Sequence, residues 1–149
     1  METRLPDDFR EFLKLLNSEK VEYLVVGGYA VSQHGYPRPT GDLDIWIDST
    51  AENAARVYDA LRAFGAPLTD LAPSELTQPD LVYQIGVPPR RIDVLTSLTG
   101  LSFEEAWNTK VAGRIGEIDC FFIGRDALIR NKRTLGRARD LADLEMLGE

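Results

Sequence analysis

The distribution of apolar and polar positions predicts a chain that alternates helices with strands. Apolar residues at helical spacing follow Asp7 and Asp8, either of which can cap a helix, while alternation and short apolar runs indicate strands. Glycine, proline and small polar residues separate these segments. The pattern predicts helices over about 7–18, 29–35, 51–64, 125–135 and 137–147, and strands over 21–26, 42–48, 81–86 and 91–96, with two further short strands between 109 and 124.

The order of these elements indicates the fold class. Helices and strands alternate first, strands then follow one another, and two helices close the chain, which predicts an α/β (α+β) domain with a mixed β-sheet packed against helices. The strands at 81–86 and 91–96 flank "VPPR", so we expect a hairpin there. The segment 65–79 is predicted to be irregular. A length of 149 residues suits a single domain, 1–149, with a helical tail over about 125–147.

Charge and composition limit the classes of partner. The net charge of −7 argues against bulk DNA binding, although residues 125–139 carry six basic residues against one acid and could bind phosphate locally. No apolar run approaches the roughly 20 residues of a membrane-spanning helix, and the amphipathic N-terminus is not typical of a secretory signal. The single cysteine, Cys120, excludes an internal disulfide and is expected to be buried. We therefore expect a cytoplasmic protein without membrane contact.

Two carboxylates interrupt the apolar strand "DLDIWID". Because side chains alternate along a strand, Asp42 and Asp44 point to one face while Leu43 and Ile45 point to the other. Two carboxylates on one face can bind a divalent cation, and Mg²⁺ prefers such oxygen ligands. In the alternative interpretation, Asp42 caps the preceding turn and Asp44 faces solvent on a half-exposed sheet.

A third acid, Asp93, lies on another apolar strand, with Arg91 on the same face. If this strand pairs beside the one that carries Asp44, the three carboxylates converge. Taken alone, Asp93 could equally be a solvent-facing residue of an edge strand. Tyr83 and Gln84, on the neighbouring strand, could line the same site.

Two glycines, Gly27 and Gly28, end the first strand and precede the short helix. Glycine lets a ligand approach the backbone closely, and free N–H groups at a helix start attract anions. The alternative is a tight turn with no ligand. The segment is neither a P-loop nor a dinucleotide fingerprint, since neither spacing is present.

The joint pattern of "GGYAVSQHGYPRPTGDLDI", "IDV" and "LIRNKRTLGRARDLADLEML" resembles the nucleotidyltransferase superfamily built on the DNA polymerase β-type palm. More narrowly, it looks like the small bacterial single-domain members, which include the abortive-infection (AbiEii-like) and toxin–antitoxin nucleotidyltransferases. The resemblance runs from about Val21 to Leu147 and implies the nucleotidyltransferase fold.

The resemblance also implies roles for the acids and glycines. Gly27 and Gly28 would hold the triphosphate of an NTP substrate. Asp42 and Asp44 would bind Mg²⁺, for which Mn²⁺ could substitute, and Asp93 would complete a second metal site and help to deprotonate an attacking hydroxyl.

Four further residues match the resemblance with alternatives open. Arg38 and Thr40 could contact phosphate or fix the loop, and Arg38 could instead be solvated or pair with Asp42. Lys132 and Arg137 could reach the β- and γ-phosphates, or could form ion pairs on the surface of a helix.

Three functions follow from this resemblance. The first is Mg²⁺-dependent transfer of an NMP from an NTP to a hydroxyl of RNA (tRNA by analogy), of a protein or of a small molecule, with release of pyrophosphate. The second is a catalytically silent nucleotide- or protein-binding module of a toxin–antitoxin-type system, with a partner chain. The third, modification of a drug, differs from the first only in its acceptor.

Overall fold

The computed structural model describes residues 6–35, 40–87 and 89–149. Arg38 lies outside these described residues. The helices of the described ranges are α1 (Asp7–Ser18), α2 (Gly27–His34), α3 (Ala51–Phe64), α4 (Phe103–Asn108), α5 (Arg125–Leu135) and α6 (Ala138–Met146). The strands are β1 (Tyr23–Val26), β2 (Asp42–Ile47), β3 (Val82–Val87), β4 (Arg90–Leu95), β5 (Val111–Ile115) and β6 (Ile118–Phe122), and a 3₁₀ turn covers Pro73–Thr77.

All six strands form one mixed sheet in the order β3-β4-β2-β1-β6-β5. β2 runs parallel to β4 and β1 runs parallel to β6, whereas the other neighbouring pairs are antiparallel. The centre of the sheet is therefore β2 and β1, whose apolar side chains are buried on both faces, as expected for strands covered on two sides.

Different helices pack against the two faces of the sheet. Phe9 of α1 and Phe64 of α3 line a cavity of about 270 Å³ together with Ile85 and Ile92, so these helices lie over the face that is opposite to the acids. On the acid face, Trp46 contacts Phe103 of α4 edge-on, with the ring centroids 5.2 Å apart. Both sets of helices pack the sheet into one continuous apolar core.

A buried asparagine fixes the far end of β2. Asn53, in the first turn of α3, accepts a hydrogen bond from the Glu22 N–H at 2.8 Å and donates to the carbonyl oxygens of Glu22 at 3.0 Å and Asp48 at 2.7 Å. Its amide thereby bonds backbone groups next to the ends of β1 and β2, beside the hydrogen bond from the Asp48 N–H to the Glu22 carbonyl at 3.2 Å. These bonds connect the ends of both central strands to one helix.

The predicted fold class is confirmed, and the elements differ from the prediction in three places. α2 begins at Gly27 rather than after the glycines, so both glycines lie in its first turn. The segment predicted to be irregular contains the 3₁₀ turn, and α4 was not predicted although Ser102 and Glu105 form a capping box at its start. The hairpin of β3 and β4 and the pair of helices at the end of the chain are present.

No helix in the described ranges combines the length and the apolar character that crossing a bilayer requires.

Candidate active site

The pairing of β2 with β4 brings the three acids together. In this parallel register Asp44 is the direct partner of Asp93, and Asp42 is the partner of Arg91. Paired residues of neighbouring strands point to the same face, as do residues two apart on one strand. Asp42, Asp44 and Asp93 therefore share one face at one end of the sheet, where β1 also ends opposite Asp44.

Arg91 supplies the positive charge of this cluster. Its Nε atom donates to Asp93 Oδ1 at 2.8 Å and its Nη2 atom to Asp93 Oδ2 at 3.3 Å, so one guanidinium engages both oxygens of one carboxylate. Nη2 also lies 3.5 Å from Asp42 Oδ2. With all groups ionised, these three carboxylates and one guanidinium leave an excess of negative charge.

The crowding of negative charge contributes to a shift in the pKa of Asp44. Burial, together with the negative charges of Asp93 and Asp42, raises the pKa of Asp44 to about 7, and the positive charge of Arg91 opposes this shift. A positive charge placed near Asp44 would therefore stabilise its ionised form.

Gly27 explains why Asp44 can sit so close to the start of α2. Gly27 has a φ of +66°, a conformation that side chains disfavour, and a Cβ atom built there would lie 2.0 Å from Asp44 Oδ2. Any larger residue would drive the carboxylate away from the backbone. The Gly27–Gly28 turn therefore places the N-terminus of α2 directly against the acid cluster.

The donor set fits a divalent cation in its chemistry. Carboxylate oxygens are the preferred ligands of Mg²⁺ and Mn²⁺, and three carboxylates share one face beside the backbone of Gly27. As the side chains stand, no three acidic, histidine or cysteine residues within the described ranges are gathered so that they could hold a metal ion. Two of the three carboxylates, those of Asp93 and Asp42, contact the guanidinium of Arg91.

Three further residues were predicted to lie at or beside the site: Thr40, Gln84 and Tyr83. Thr40 Oγ1 lies 3.4 Å from the Asp42 backbone nitrogen and 3.3 Å from the Asp42 carbonyl oxygen, at the start of β2, and contact of Thr40 with a nucleotide stays a prediction. Gln84 is the register partner of Asp93 and shares its face. Tyr83 was predicted to line the site, and this is wrong, because it points to the opposite face and donates a hydrogen bond to the Pro67 carbonyl.

Lys132 and Arg137 lie in a separate charge cluster between α5 and α6. Lys132 is largely buried, and its Nζ atom lies 3.3 Å from Asp140 Oδ1 and 3.0 Å from Asp143 Oδ2. Arg137 Nε contacts Asp140 Oδ2 at 2.6 Å. The structure thus gives both cations internal carboxylate partners, and their contact with a nucleotide stays a prediction.

The sequence has a single histidine, His34, and a single cysteine, Cys120, and the structure places both outside the acid cluster. His34 Nε2 lies 2.7 Å from the Ile123 carbonyl, which links α2 to the end of β6. Cys120 is buried, and burial raises the pKa of its thiol to about 12, which disfavours the nucleophilic thiolate form.

Arg91 is the residue of the cluster to which sequence reasoning assigned no role. The signal was present, since Arg91 stands two residues before Asp93 on one strand and therefore on the same face. The contact to Asp42 could not be derived in this way, because it depends on the register between β2 and β4.

The fold has a counterpart among solved structures. It is similar to the crystal structure of a "putative nucleotidyltransferase" from Thermotoga maritima, with a TM-score of 0.59 and 16% sequence identity, over 92% of this chain and 88% of that chain. No family model matches the sequence, and no curated protein matches it. The chain therefore has a nucleotidyltransferase-like fold, and its place among the abortive-infection or toxin–antitoxin members stays a prediction.

Proposed function

We propose that this protein is a nucleotidyltransferase that uses Mg²⁺ or Mn²⁺ and moves an NMP from an NTP to an acceptor hydroxyl. One observation carries the proposal: Asp44 pairs in register with Asp93, on the same face as Asp42 and against the Gly27 backbone. The three carboxylates share one guanidinium, and their excess of negative charge in a partly buried site favours the binding of a further cation.

The proposed reaction forms one bond and breaks another. The acceptor oxygen attacks the α-phosphorus, the bond from that phosphorus to the bridging oxygen breaks, and pyrophosphate leaves with the electron pair. Asp93 accepts the proton of the hydroxyl, while the N–H groups of Gly27 and Gly28 bind phosphate oxygens. Asp42 and Asp44 would hold the cation together with Asp93, and the cation when bound polarises the phosphoryl oxygens and lowers the pKa of the hydroxyl.

The acceptor would be RNA, a protein or a small molecule. The tRNA acceptor is supported by the exposed basic residues of α5 and the start of α6, which could contact a phosphate backbone. Several of them already pair with acids, Arg130 with Glu105 and Arg133 with Glu149 among them, so that surface is only modestly positive.

The test is transfer of label from each of the four α-³²P-NTPs to total tRNA, to lysate protein and to small hydroxylated acceptors, with Mg²⁺ or Mn²⁺. Labelling of one acceptor class that EDTA abolishes supports the proposal. A complementary measurement is the thermal shift of the protein, which should rise only when metal and nucleotide are both present. No labelling and no shift with any nucleotide would overturn the proposal.

A second candidate is a catalytically silent module that binds a nucleotide or a partner protein. The observation that favours it is the neutralisation of Asp93 by Arg91, which gives the cluster a partner without any metal. A thermal shift with nucleotide alone, unaffected by EDTA and without labelling, would support this alternative.

A further inference from the structure

Arg91 engages the acid cluster in a way that excludes another cation. Its Nε and Nη2 atoms bond both oxygens of Asp93, at 2.8 and 3.3 Å, and Nη2 also lies 3.5 Å from Asp42. A divalent cation would need oxygens of the same two carboxylates. The guanidinium and a metal ion are therefore alternative partners for Asp93 and Asp42.

The surroundings favour this competition. The Asp93 side chain is 11% exposed, so its charge is poorly solvated and needs a partner, whereas the Arg91 side chain is 26% exposed and is therefore partly accessible to solvent. An arginine side chain is long and flexible, and its planar fork binds phosphate as well as carboxylate. Arg91 can therefore leave Asp93 without moving the backbone of β4, provided that another anion receives it.

We infer that Arg91 is the resident counter-ion of the acid cluster, and that it blocks divalent cations from Asp93 and Asp42 until a triphosphate binds and accepts its guanidinium. This inference rests on the proposed function and adds an order of events to it. A cation alone competes with Arg91 and binds weakly. A nucleotide supplies phosphate oxygens to the guanidinium, frees the carboxylates, and so raises the affinity of the cluster for the cation.

The test measures Mn²⁺ binding to the full chain without nucleotide, by electron paramagnetic resonance of free Mn²⁺ and by calorimetry. Arg91→Gln removes the competing charge and should bind Mn²⁺ about tenfold more tightly than the wild type. Arg90→Gln is the matched control, since Arg90 is the exposed neighbour on the same strand and carries the same charge. It should leave Mn²⁺ binding unchanged.

A second measurement separates competition from damage to the fold. Without metal, Arg91→Gln should lower the melting temperature, because the carboxylates lose their counter-ion, and Mn²⁺ should raise it by more than in the wild type. Arg91→Lys keeps the charge and loses the fork, so its Mn²⁺ affinity should lie between those of the wild type and Arg91→Gln. If Arg91→Gln does not fold, a higher Mn²⁺ affinity of Arg91→Lys than of the wild type supports the inference, and an equal or lower affinity contradicts it.

Equal or weaker Mn²⁺ binding by Arg91→Gln, in a protein with a native circular dichroism spectrum, would overturn the inference. If the wild type still transfers a labelled nucleotide in that case, the proposed function stands and only the role of Arg91 fails. If the wild type binds neither Mn²⁺ nor nucleotide under any condition, the proposed function fails and takes this inference with it.

Discussion

Two clusters of charged side chains lie in partly or fully buried positions, and they differ in net charge. Between α5 and α6, the acids Asp140 and Asp143 face the cations Lys132 and Arg137, so the four side chains have no net charge. At the end of the sheet, the acids Asp42, Asp44 and Asp93 share one arginine. The first cluster is complete within the protein, whereas the second has an excess of negative charge.

One carboxyl group from each cluster shows the effect of this difference, because the pKa values of Asp140 and Asp44 shift in opposite directions. Hydrogen bonds from the Arg137 side chain, with those from Lys132, lower the pKa of Asp140 to about 2, even though no part of that residue is exposed. Burial and neighbouring acids raise the pKa of Asp44 to about 7. Burial alone therefore does not identify a functional carboxylate. The balance of its neighbours separates a structural acid from a ligand-binding one.

The largest expected effect is on stability, from breaking the balanced cluster. Lys132→Met leaves Asp143 and Asp140 without their shared cation, and we expect it to lower the free energy of unfolding by about 3–5 kcal/mol in urea titrations. Arg133→Met is the matched control one residue away, because Arg133 is exposed and pairs with Glu149, and should cost at most about 1 kcal/mol. Similar losses for both variants would mean that the Lys132 cluster is not a structural one.

The next effect is on activity, from the unbalanced cluster. Asp44→Asn should lower the rate of nucleotidyl transfer by about a hundredfold or more and abolish the thermal shift with Mg²⁺ and nucleotide, since it removes one of the carboxylates that bind the cation. Asp48→Asn, just beyond the other end of β2, carries the same substitution outside the cluster and should transfer at the wild-type rate. Wild-type activity of Asp44→Asn would exclude the proposed site.

The balanced cluster also predicts a dependence of stability on pH. Because the pKa of Asp140 is lowered in the folded state, its contribution is complete above about pH 4, the pKa of an unfolded aspartate, and is lost as the pH falls toward 2. The difference in unfolding free energy between wild type and Asp140→Asn should therefore shrink by about 2 kcal/mol between pH 5 and pH 2. Parallel curves would contradict this prediction, and the NMR titration of the Asp140 carboxyl carbon checks the pKa directly.

The smallest expected effect is a gain in stability, from removing one carboxylate of the unbalanced cluster. In the absence of metal, Asp44→Asn should raise the free energy of unfolding by about 1 kcal/mol, since it removes one of the mutually repelling charges. Added salt screens that repulsion, so the gain should shrink in 0.5 M NaCl. A loss of stability in both low and high salt would mean that Asp44 supports the fold.

The sequence predicted most of the elements because each carries its own local pattern. The helix Ala51–Phe64 was predicted with its observed bounds, since Thr50 caps its start and Gly65 adopts the left-handed conformation at its end. α4 was missed because its six residues are too few to show a helical period, and only its capping box announces it.

The candidate site was predictable only in part, for a different physical reason. Alternation along β2 was enough to put Asp42 and Asp44 on one face, but the position of Asp93 depended on which strand lies beside β2, and no local pattern encodes that choice. The pairing of Lys132 with Asp140 and Asp143 likewise arises from the packing of α5 on α6. From the sequence, Lys132 was expected either to form an ion pair on a helix surface or to contact a nucleotide. Neither alternative included its burial.

The parallel pairing of β2 with β4 has a consequence for how the protein forms. Parallel neighbours cannot be joined by a tight turn, so α3, the 3₁₀ turn and β3 all lie between Asp44 and Asp93 in the chain. Contacts between such distant segments form slowly and late during folding. A nascent chain still emerging from the ribosome would thus expose Asp44 well before its partner strand exists, and would acquire the acid face only when most of the sheet has been synthesised.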